Sequence, residues 1–207
     1  KPYVVTEFGP LGQWEVGKTS WDAPIEVSST EKEAMYRKGY EGAVASAKGT
    51  CLGSYVFLWG NKQEATATWF GMLLPDGTPL GTVDVMTEIW TGKAPKNRAP
   101  RIQSLTVEGG DRFAMGATIQ ARLSATDPEG KPLKVKWVLS GEAVERLTAG
   151  QSERVPPVYP EAIVSSDLGS ARIKLPNKPG AFRVFAYVHD ADGKAAVANV
   201  PILVTGN

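Results

Sequence analysis

Glu7 is the residue whose chemical type and setting point most directly to catalysis. It lies near the end of an apolar run, residues 3–8, and directly before Gly9 and Pro10. A carboxylate inside an apolar strand is costly unless it is paired with a cation or serves a function. A buried structural ion pair and a catalytic role are therefore the two interpretations that the sequence leaves open.

The remaining residue types restrict the chemistry that is possible. The single cysteine, Cys51, excludes an intrachain disulfide and a zinc site built from several cysteines. The single histidine, His189, argues against a Ser-His-Asp triad and against a multi-histidine metal site. Carboxylate chemistry, or no chemistry at all, is what remains, and we expect neither a metal nor a cofactor.

Acidic turns offer one further candidate for a bound ion. Asp127, Asp190 and Asp192 lie in turn-like segments, and residues 190–193 have the opening spacing of a calcium loop without its later bidentate glutamate. The alternative is an Asx turn between strands, in which the carboxylate accepts hydrogen bonds from nearby backbone amides. The sequence alone does not separate calcium binding from turn formation.

The overall charge argues against whole classes of partner. Twenty-three basic and 22 acidic residues give a formal net charge of +1, so nothing favours nucleic acid or an anionic membrane. The longest run of large apolar residues, 55–59, is far too short to span a bilayer. We therefore expect no nucleic-acid partner and no membrane span.

The chain changes character near residue 94. Residues 1–93 contain five of the six tryptophans and the only cysteine, whereas residues 94–100 contain two prolines among polar residues. That composition predicts an extended linker. We therefore divide the chain into a first region, residues 1–93, a linker, residues 94–100, and a second region, residues 101–207.

The first region has the pattern of a strand, a helix, a strand and a helix. Residues 3–8 and 53–59 are dense in β-branched and aromatic residues, which is typical of strands buried on both faces. Thr30 and Glu33 have the spacing of a capping box, and apolar residues then recur at helical intervals towards Gly49. A second helix is predicted over residues 82–90. This order predicts a parallel βαβ unit.

The second region has an all-β pattern. Turn signals separate six short alternating runs, which are residues 101–107, 117–125, 133–139, 170–175, 182–189 and 195–204. Strands of this number and length predict an immunoglobulin-like or fibronectin-like β-sandwich, with Trp137 in its core. Phe185 and Tyr187 alternate with apolar residues on the other side of their run, which indicates that this side is partly covered too.

The first region contains the segments KPYVVTEFGPLGQWEV and, some forty residues later, CLGSYVFLWGNKQEATATWFGMLLPDGTPLGTVDVMTEIWTGKAPKNRAP. Together they resemble the final quarter of a family 2-type glycoside hydrolase. The resemblance implies an α/β plus all-β fold, in which residues 1–93 are the last two βα units of a TIM-type (β/α)8 barrel. It also implies that Glu7, in TEFG, is the nucleophile of a retaining β-glycosidase, and that Trp59, in YVFLWG, lies beneath the reacting sugar.

Residues close to Trp59 are candidates for further contacts with an oligosaccharide or polysaccharide substrate. Asn61, Lys62 and Gln63 offer hydrogen-bonding groups for sugar hydroxyls, although a solvated loop is the ordinary explanation for them. Trp14 and Trp69 are candidates to line a sugar cleft, with burial beneath neighbouring helices as the alternative.

The acid/base glutamate of the resembled family has no counterpart in these residues. The resemblance therefore implies that the chain is the carboxyl-terminal part of a longer enzyme, is inactive alone, and acts in the periplasm or outside the cell. Unpaired strand edges in the first region would then be covered by the remaining barrel or by another chain. A glycan-binding module, a structural spacer and a regulatory domain without a glycan ligand are the alternative functions.

Overall fold

The computed structural model describes residues 1–145, 147, 151 and 153–206. In that part of the chain there are two α-helices and ten β-strands. The helices are α1, Ser29–Ala43, and α2, Gly81–Thr91. The strands are β1, Tyr3–Val5; β2, Cys51–Ser54; β3, Arg101–Val107; β4, Arg112–Ala114; β5, Thr118–Thr126; β6, Lys134–Gly141; β7, Ile163–Ser166; β8, Ser170–Lys174; β9, Gly180–His189; and β10, Ala195–Thr205. None of the described helices is long and apolar enough to cross a bilayer.

Eight of the strands form a β-sandwich, which confirms the all-β prediction for the second region. One sheet has the strand order β4-β10-β9-β6, and the other has the order β3-β5-β8-β7. The neighbouring strands are antiparallel, except that β4 pairs with β10 in parallel. Trp137 lies in the core between the sheets, and its indole N–H donates to the Asp167 carbonyl at 3.0 Å. Strand β4 was not predicted from the sequence.

The outer face of one sheet is covered by the first region. Phe185 on β9 and Val197 on β10 lie outside the sandwich core and pack against Leu74 and Leu80. Leu80 also forms a parallel bridge with Ala195, at the start of β10. Strands β9 and β10 are therefore buried on both faces, which explains why their sequences are apolar almost throughout.

Helix α1 begins at a capping box two residues before the predicted one. The Ser28 hydroxyl accepts a hydrogen bond from the Glu31 amide at 3.2 Å, and the Glu31 carboxylate accepts one from the Ser28 amide at 2.8 Å. Thr30 and Glu33 instead bind residues at the start of β3. The prediction of a Thr30–Glu33 capping box is therefore wrong, because those side chains hold α1 against the sandwich.

The two helices pack against each other around a small core of their own. Tyr36 from α1 meets Val85 and Met86 from α2, and all three are buried. Helix α2 ends at Gly92, which adopts the left-handed conformation with φ of 72° and donates its amide to the helix. This helix extends one residue beyond its predicted range at each end.

The prediction of a (β/α)8 barrel portion is wrong. Strands β1 and β2, which precede and follow α1 in the chain, pair in parallel. They are only three and four residues long, and they form a sheet of only two strands. In the described residues no further strand joins that sheet, and α2 leads into β3 of the sandwich. The chain is mostly β, and the apolar residues Tyr3 and Val4 remain exposed instead of lying in a closed barrel.

Residues 94–100, the predicted linker, are held against both regions. The Asn97 side-chain amide donates to the Asp190 carboxylate at 2.7 Å, and the Ala99 amide donates to the Asp84 carboxylate at 2.7 Å. Asp84 is also paired with the ammonium group of Lys194. The end of α2 and one end of the sandwich are thereby fixed to each other.

Candidate functional site

Glu7 follows β1 at the carboxyl end of the parallel pair. Beyond the two strands, the Tyr55 amide donates to the Val5 carbonyl and the Phe57 amide donates to the Phe8 carbonyl, each at 2.9 Å. The backbone around Glu7 therefore lies beside the segment that follows β2. Within the part of the chain that the structure describes, the Glu7 side chain is exposed and makes no hydrogen bond or ion pair.

An aromatic strip lies along the segment after β2. Tyr55, Phe57 and Trp59 are exposed, whereas the alternating residues Val56 and Leu58 pack inwards. This period-two alternation is the pattern of an extended segment with one buried side. The rings of Tyr55 and Trp59 are open to solvent, whereas the Phe57 ring also packs edge-on against the buried Phe70, with ring centroids 4.8 Å apart.

Trp90 of α2 extends this strip. Its ring centroid lies 6.4 Å from that of Trp59, with the ring planes inclined by 31°. Tyr55, Trp59 and Trp90 are 67%, 56% and 51% exposed, so their faces are open to a partner. We use the name aromatic strip for Tyr55, Phe57, Trp59 and Trp90. Contiguous exposed rings of this kind mark interaction surfaces more often than isolated ones do.

The polar residues predicted to contact sugar lie in the loop behind Trp59. The Asn61 side-chain amide donates to the carbonyls of Ala67, at 2.6 Å, and Leu73, at 3.2 Å. Lys62 pairs with Glu64 at 2.6 Å. The Gln63 amide nitrogen is buried and has no hydrogen-bond partner in the described residues. These three side chains do not converge on one point.

The two remaining predicted residues, Trp14 and Trp69, have opposite environments. Trp69 is only 2% exposed, and its indole N–H donates to the Leu11 carbonyl at 2.9 Å, so it is a core residue. Trp14 is exposed, and its ring lies across Gly12, where an added Cβ would come within 2.5 Å of the ring. Of the two, only Trp14 is available to a ligand.

A buried ionic network fixes the loop that follows Trp59. One Glu26 carboxylate oxygen accepts hydrogen bonds from Lys32 at 2.5 Å and Thr68 at 2.9 Å. The other accepts from Thr66 at 2.6 Å and from the Asn199 amide of β10 at 2.7 Å. The first region, the loop after Trp59 and the sandwich therefore meet at one carboxylate.

The charges in this network control the protonation of Glu26. Burial by itself would raise the pKa of the Glu26 carboxyl. The adjacent Lys32 ammonium and the hydrogen bond from Thr66 outweigh burial, so the pKa lies below its ordinary value of 4.5. The carboxylate is therefore ionised at neutral pH and holds its four donors.

Arg183 continues the network on the sandwich side. Its guanidinium donates twice to the Glu142 carboxylate, at 2.8 and 2.9 Å, and also to Asn199 at 2.6 Å and to the Pro24 carbonyl at 3.0 Å. Sequence reasoning missed these residues. The available signal was that Arg183 and Asn199 are polar residues inside otherwise apolar strands, which is costly unless they are paired.

The acidic turns form Asx turns. One Asp127 oxygen accepts from the backbone amides of Glu129 and Lys131, both at 2.9 Å. Asp190 likewise accepts from two amides further along its turn, at 2.9 and 2.8 Å. Among the residues described, no group of three or more metal-ligating side chains comes together. The structure therefore gives no geometric support for calcium at these turns.

Comparisons with known proteins give no family. No protein-family model matches the chain, and no curated protein matches it. A PKD domain of an M14-like peptidase from Thermoplasmatales archaeon SCGC AB-540-F20 is similar at 17% identity, with a TM-score of 0.31, over 52% of this chain and 97% of that domain. A superoxide reductase (neelaredoxin) from Ignicoccus hospitalis is similar at 12% identity, with a TM-score of 0.24, over 54% and 82% of the two chains.

The chain's own topology decides against the expected family. The described residues are mostly β, with two helices and three sheets, and the parallel sheet has only the two strands β1 and β2. The assignment to a family 2-type glycoside hydrolase barrel is therefore wrong. Any carbohydrate function has to be argued from Glu7 and the aromatic strip themselves.

Proposed function

We propose that this chain is part of a carbohydrate-active enzyme, a retaining β-glycosidase in which Glu7 is the nucleophile. The observation that carries the proposal is that an exposed carboxylate, without a partner among the described residues, lies at the same end of the parallel pair as the aromatic strip. Aromatic faces suit the apolar faces of pyranose rings, and they also tolerate positive charge that develops at an anomeric carbon. Trp59 and Trp90 would hold the sugar.

The proposed reaction uses two carboxyl groups. A Glu7 oxygen attacks the anomeric carbon and forms a glycosyl ester, while a second carboxylic acid gives its proton to the departing glycosidic oxygen. That second group then removes a proton from water, which attacks the ester and releases the sugar and the Glu7 carboxylate. The two carboxyl groups must lie roughly 5–5.5 Å apart. We propose that the second group comes from polypeptide outside residues 1–207.

The open edges of the two-stranded sheet suggest where that polypeptide binds. Leu52 of β2 is 72% exposed, and Val4 of β1 is exposed as well. Bare strand edges and exposed apolar side chains favour pairing with further strands. We propose that strands of the same enzyme, outside these residues, pair with β1 and β2 and enclose Glu7. Since Glu7 is solvated without them, the chain alone should not turn over glycosides.

Activity measurements test both parts of this proposal. Residues 1–207 should hydrolyse a panel of aryl β-glycosides no faster than the Glu7→Gln variant does. A longer polypeptide that contains these residues and is active should lose nearly all turnover on Glu7→Ala, and added azide or formate should partly restore it. Turnover by the isolated chain above the Glu7→Gln control would contradict the first part, and full activity of Glu7→Ala would contradict the second.

Non-catalytic glycan binding is the second candidate function. The same aromatic strip favours it, because exposed aromatic faces suit the apolar faces of sugars. Binding alone needs neither a second carboxylate nor the exclusion of water from Glu7. In that case residues 1–207 should be retarded on polysaccharide affinity gels, and Glu7→Gln should leave the retardation unchanged. A spacer role predicts no retardation. Both glycan functions favour a periplasmic or extracellular location, which is part of the proposal.

A further inference from the structure

A groove of about 670 Å³ lies where residues 21–22 of the first region meet one end of the sandwich. We call it the junction groove. Its side-chain walls include Trp21, Glu142, Tyr159, Lys178 and Phe182. A volume of this size falls within the range of about 300–1000 Å³ that is typical of sites for small ligands. Glu7 and the aromatic strip contribute nothing to its lining.

Two aromatic rings of the groove are held in place by their neighbours. Tyr159 packs edge-on against the buried Phe182, with ring centroids 5.5 Å apart. Trp21 lies beneath the Arg112 guanidinium, 5.5 Å from the ring centroid, and Arg112 in turn donates to the Ser20 hydroxyl at 2.5 Å. Rings that are already ordered lose little conformational freedom when they bind a ligand.

Both carboxylates that line the groove are already paired with cations. The Glu142 carboxylate accepts two hydrogen bonds from Arg183, and Asp22 pairs with Lys18 at 2.8 Å. Lys178 is exposed at the groove, and its ammonium lies 5.1 Å from the centre of the Tyr159 ring, so a hydrogen-bond donor lies close to an aromatic surface. This combination suits a ligand that has both apolar faces and many hydroxyl groups, such as a neutral sugar.

We propose that the junction groove is a second carbohydrate-binding site, which takes a short neutral oligosaccharide between Trp21 and Tyr159. The site would anchor a glycan to the sandwich, independently of any reaction at Glu7. Sequence analysis did not find it, because Trp21 and Tyr159 lie 138 positions apart and only the packing of the first region on the sandwich brings them together.

Calorimetric titration of the intact chain tests the proposal. The probes are the neutral hexasaccharides of cellulose, xylan, β-mannan and β-1,3-glucan. We expect at least one of them to bind, and we expect Trp21→Ala and Tyr159→Ala each to weaken that affinity at least about tenfold. Lys178→Ala, a change at an exposed loop position, should weaken it too without affecting the fold.

Leu168→Ala is the control, because it removes an exposed apolar side chain that lies outside both the junction groove and the aromatic strip. It should leave binding unchanged. The proposal is overturned if none of the four hexasaccharides binds, or if the binding that is seen is kept in Tyr159→Ala and Lys178→Ala. The last result would still be compatible with the function proposed for Glu7, so the two proposals can fail separately.

Discussion

Replacing Lys32 by methionine removes the ammonium group that contacts the buried Glu26 carboxylate. The Lys32 and Glu26 side chains are 4% and 2% exposed, and the Lys32 Nζ lies 2.5 Å from a Glu26 carboxylate oxygen. The substitution therefore leaves the Glu26 carboxylate in the interior without the ammonium group that contacts it. Breaking a buried ion pair from one side typically costs about 3–5 kcal/mol. For a chain of 207 residues, that cost corresponds to a fall in Tm of about 6–20 °C.

The pH dependence identifies the cause of this loss. In the parent protein the pKa of Glu26 is lowered, so its ionisation stabilises the fold at pH values above the ordinary 4.5, and that contribution is lost as the pH falls through the folded-state pKa. In Lys32→Met the main cation is gone, while Arg183 and the hydrogen bond from Thr66 remain, so the pKa of Glu26 should be higher than in the parent protein. Protonation then relieves the uncompensated charge. The stability difference between variant and parent should therefore be largest near pH 7 and shrink towards pH 4.

Urea denaturation between pH 4 and pH 7 provides the measurement. Lys18→Met is the matched control, because Lys18 pairs with Asp22 on the surface and should cost at most about 1 kcal/mol. Adding Glu26→Gln to Lys32→Met should recover part of the loss at pH 7, since the buried group is then neutral. A loss below about 1 kcal/mol at pH 7, or a loss that does not change with pH, would refute the reasoning.

Three further substitutions, one of them with a control variant, test the local structure by the same denaturation assay. Ser28→Ala removes the cap of α1 and should cost about 1 kcal/mol; no loss would contradict the assigned capping box. Gly92→Ala should cost about 1 kcal/mol, because φ at Gly92 is 72° and alanine is strained there. The control Gly42→Ala, inside α1, should be neutral or stabilising, and equal losses of stability in the two variants would contradict the left-handed conformation of Gly92. Leu139→Ala should cost about 2–5 kcal/mol, and a loss below about 1 kcal/mol would argue against its place in the core.

The sandwich was predictable because its signals are local. Each strand of about five to ten residues carries its own alternation, and the turns between strands carry their own glycine, proline and aspartate residues. The sequence also indicated that the outer face is covered, since Phe185 and Tyr187 place large aromatic side chains on the second side of β9. Local patterning therefore predicted both the strands and the presence of a cover, without showing what the cover is.

The first region was harder to predict because its contacts are remote in sequence. Ser28, Ser29 and Thr30 are three adjacent hydroxyl residues, and any of them fits an N-cap pattern. In the structure Ser28 caps α1, whereas Ser29 and Thr30 accept from the amides of Val197 and Ile102. The apolar runs likewise predict buried strands, but residues 55–59 lie outside any strand. An apolar run shows that a segment can be buried, but it does not identify the structure that would bury it.

The candidate site was predictable in part. Glu7 and Trp59 do lie at one end of a parallel pair, which the order of strand, helix and strand implied. Trp69 is buried and the exposed Asn61 is bound to its own loop, because both side chains donate hydrogen bonds to backbone carbonyls that no short motif specifies. The role of Trp90 depends on the packing of α2 beside the segment after β2, and sequence spacing does not specify that packing.

The most direct test of the central claim is to trap the proposed glycosyl ester at Glu7. A 2-deoxy-2-fluoroglycosyl fluoride slows both steps at the anomeric carbon but keeps a good leaving group, so the ester accumulates on the nucleophile. An active polypeptide that contains these 207 residues would be treated with a panel of such reagents and digested for peptide mass spectrometry. The account predicts one added sugar on the peptide that contains Glu7. A label on Glu15, on Glu64 or on any other carboxylate, or no label at all, would contradict it.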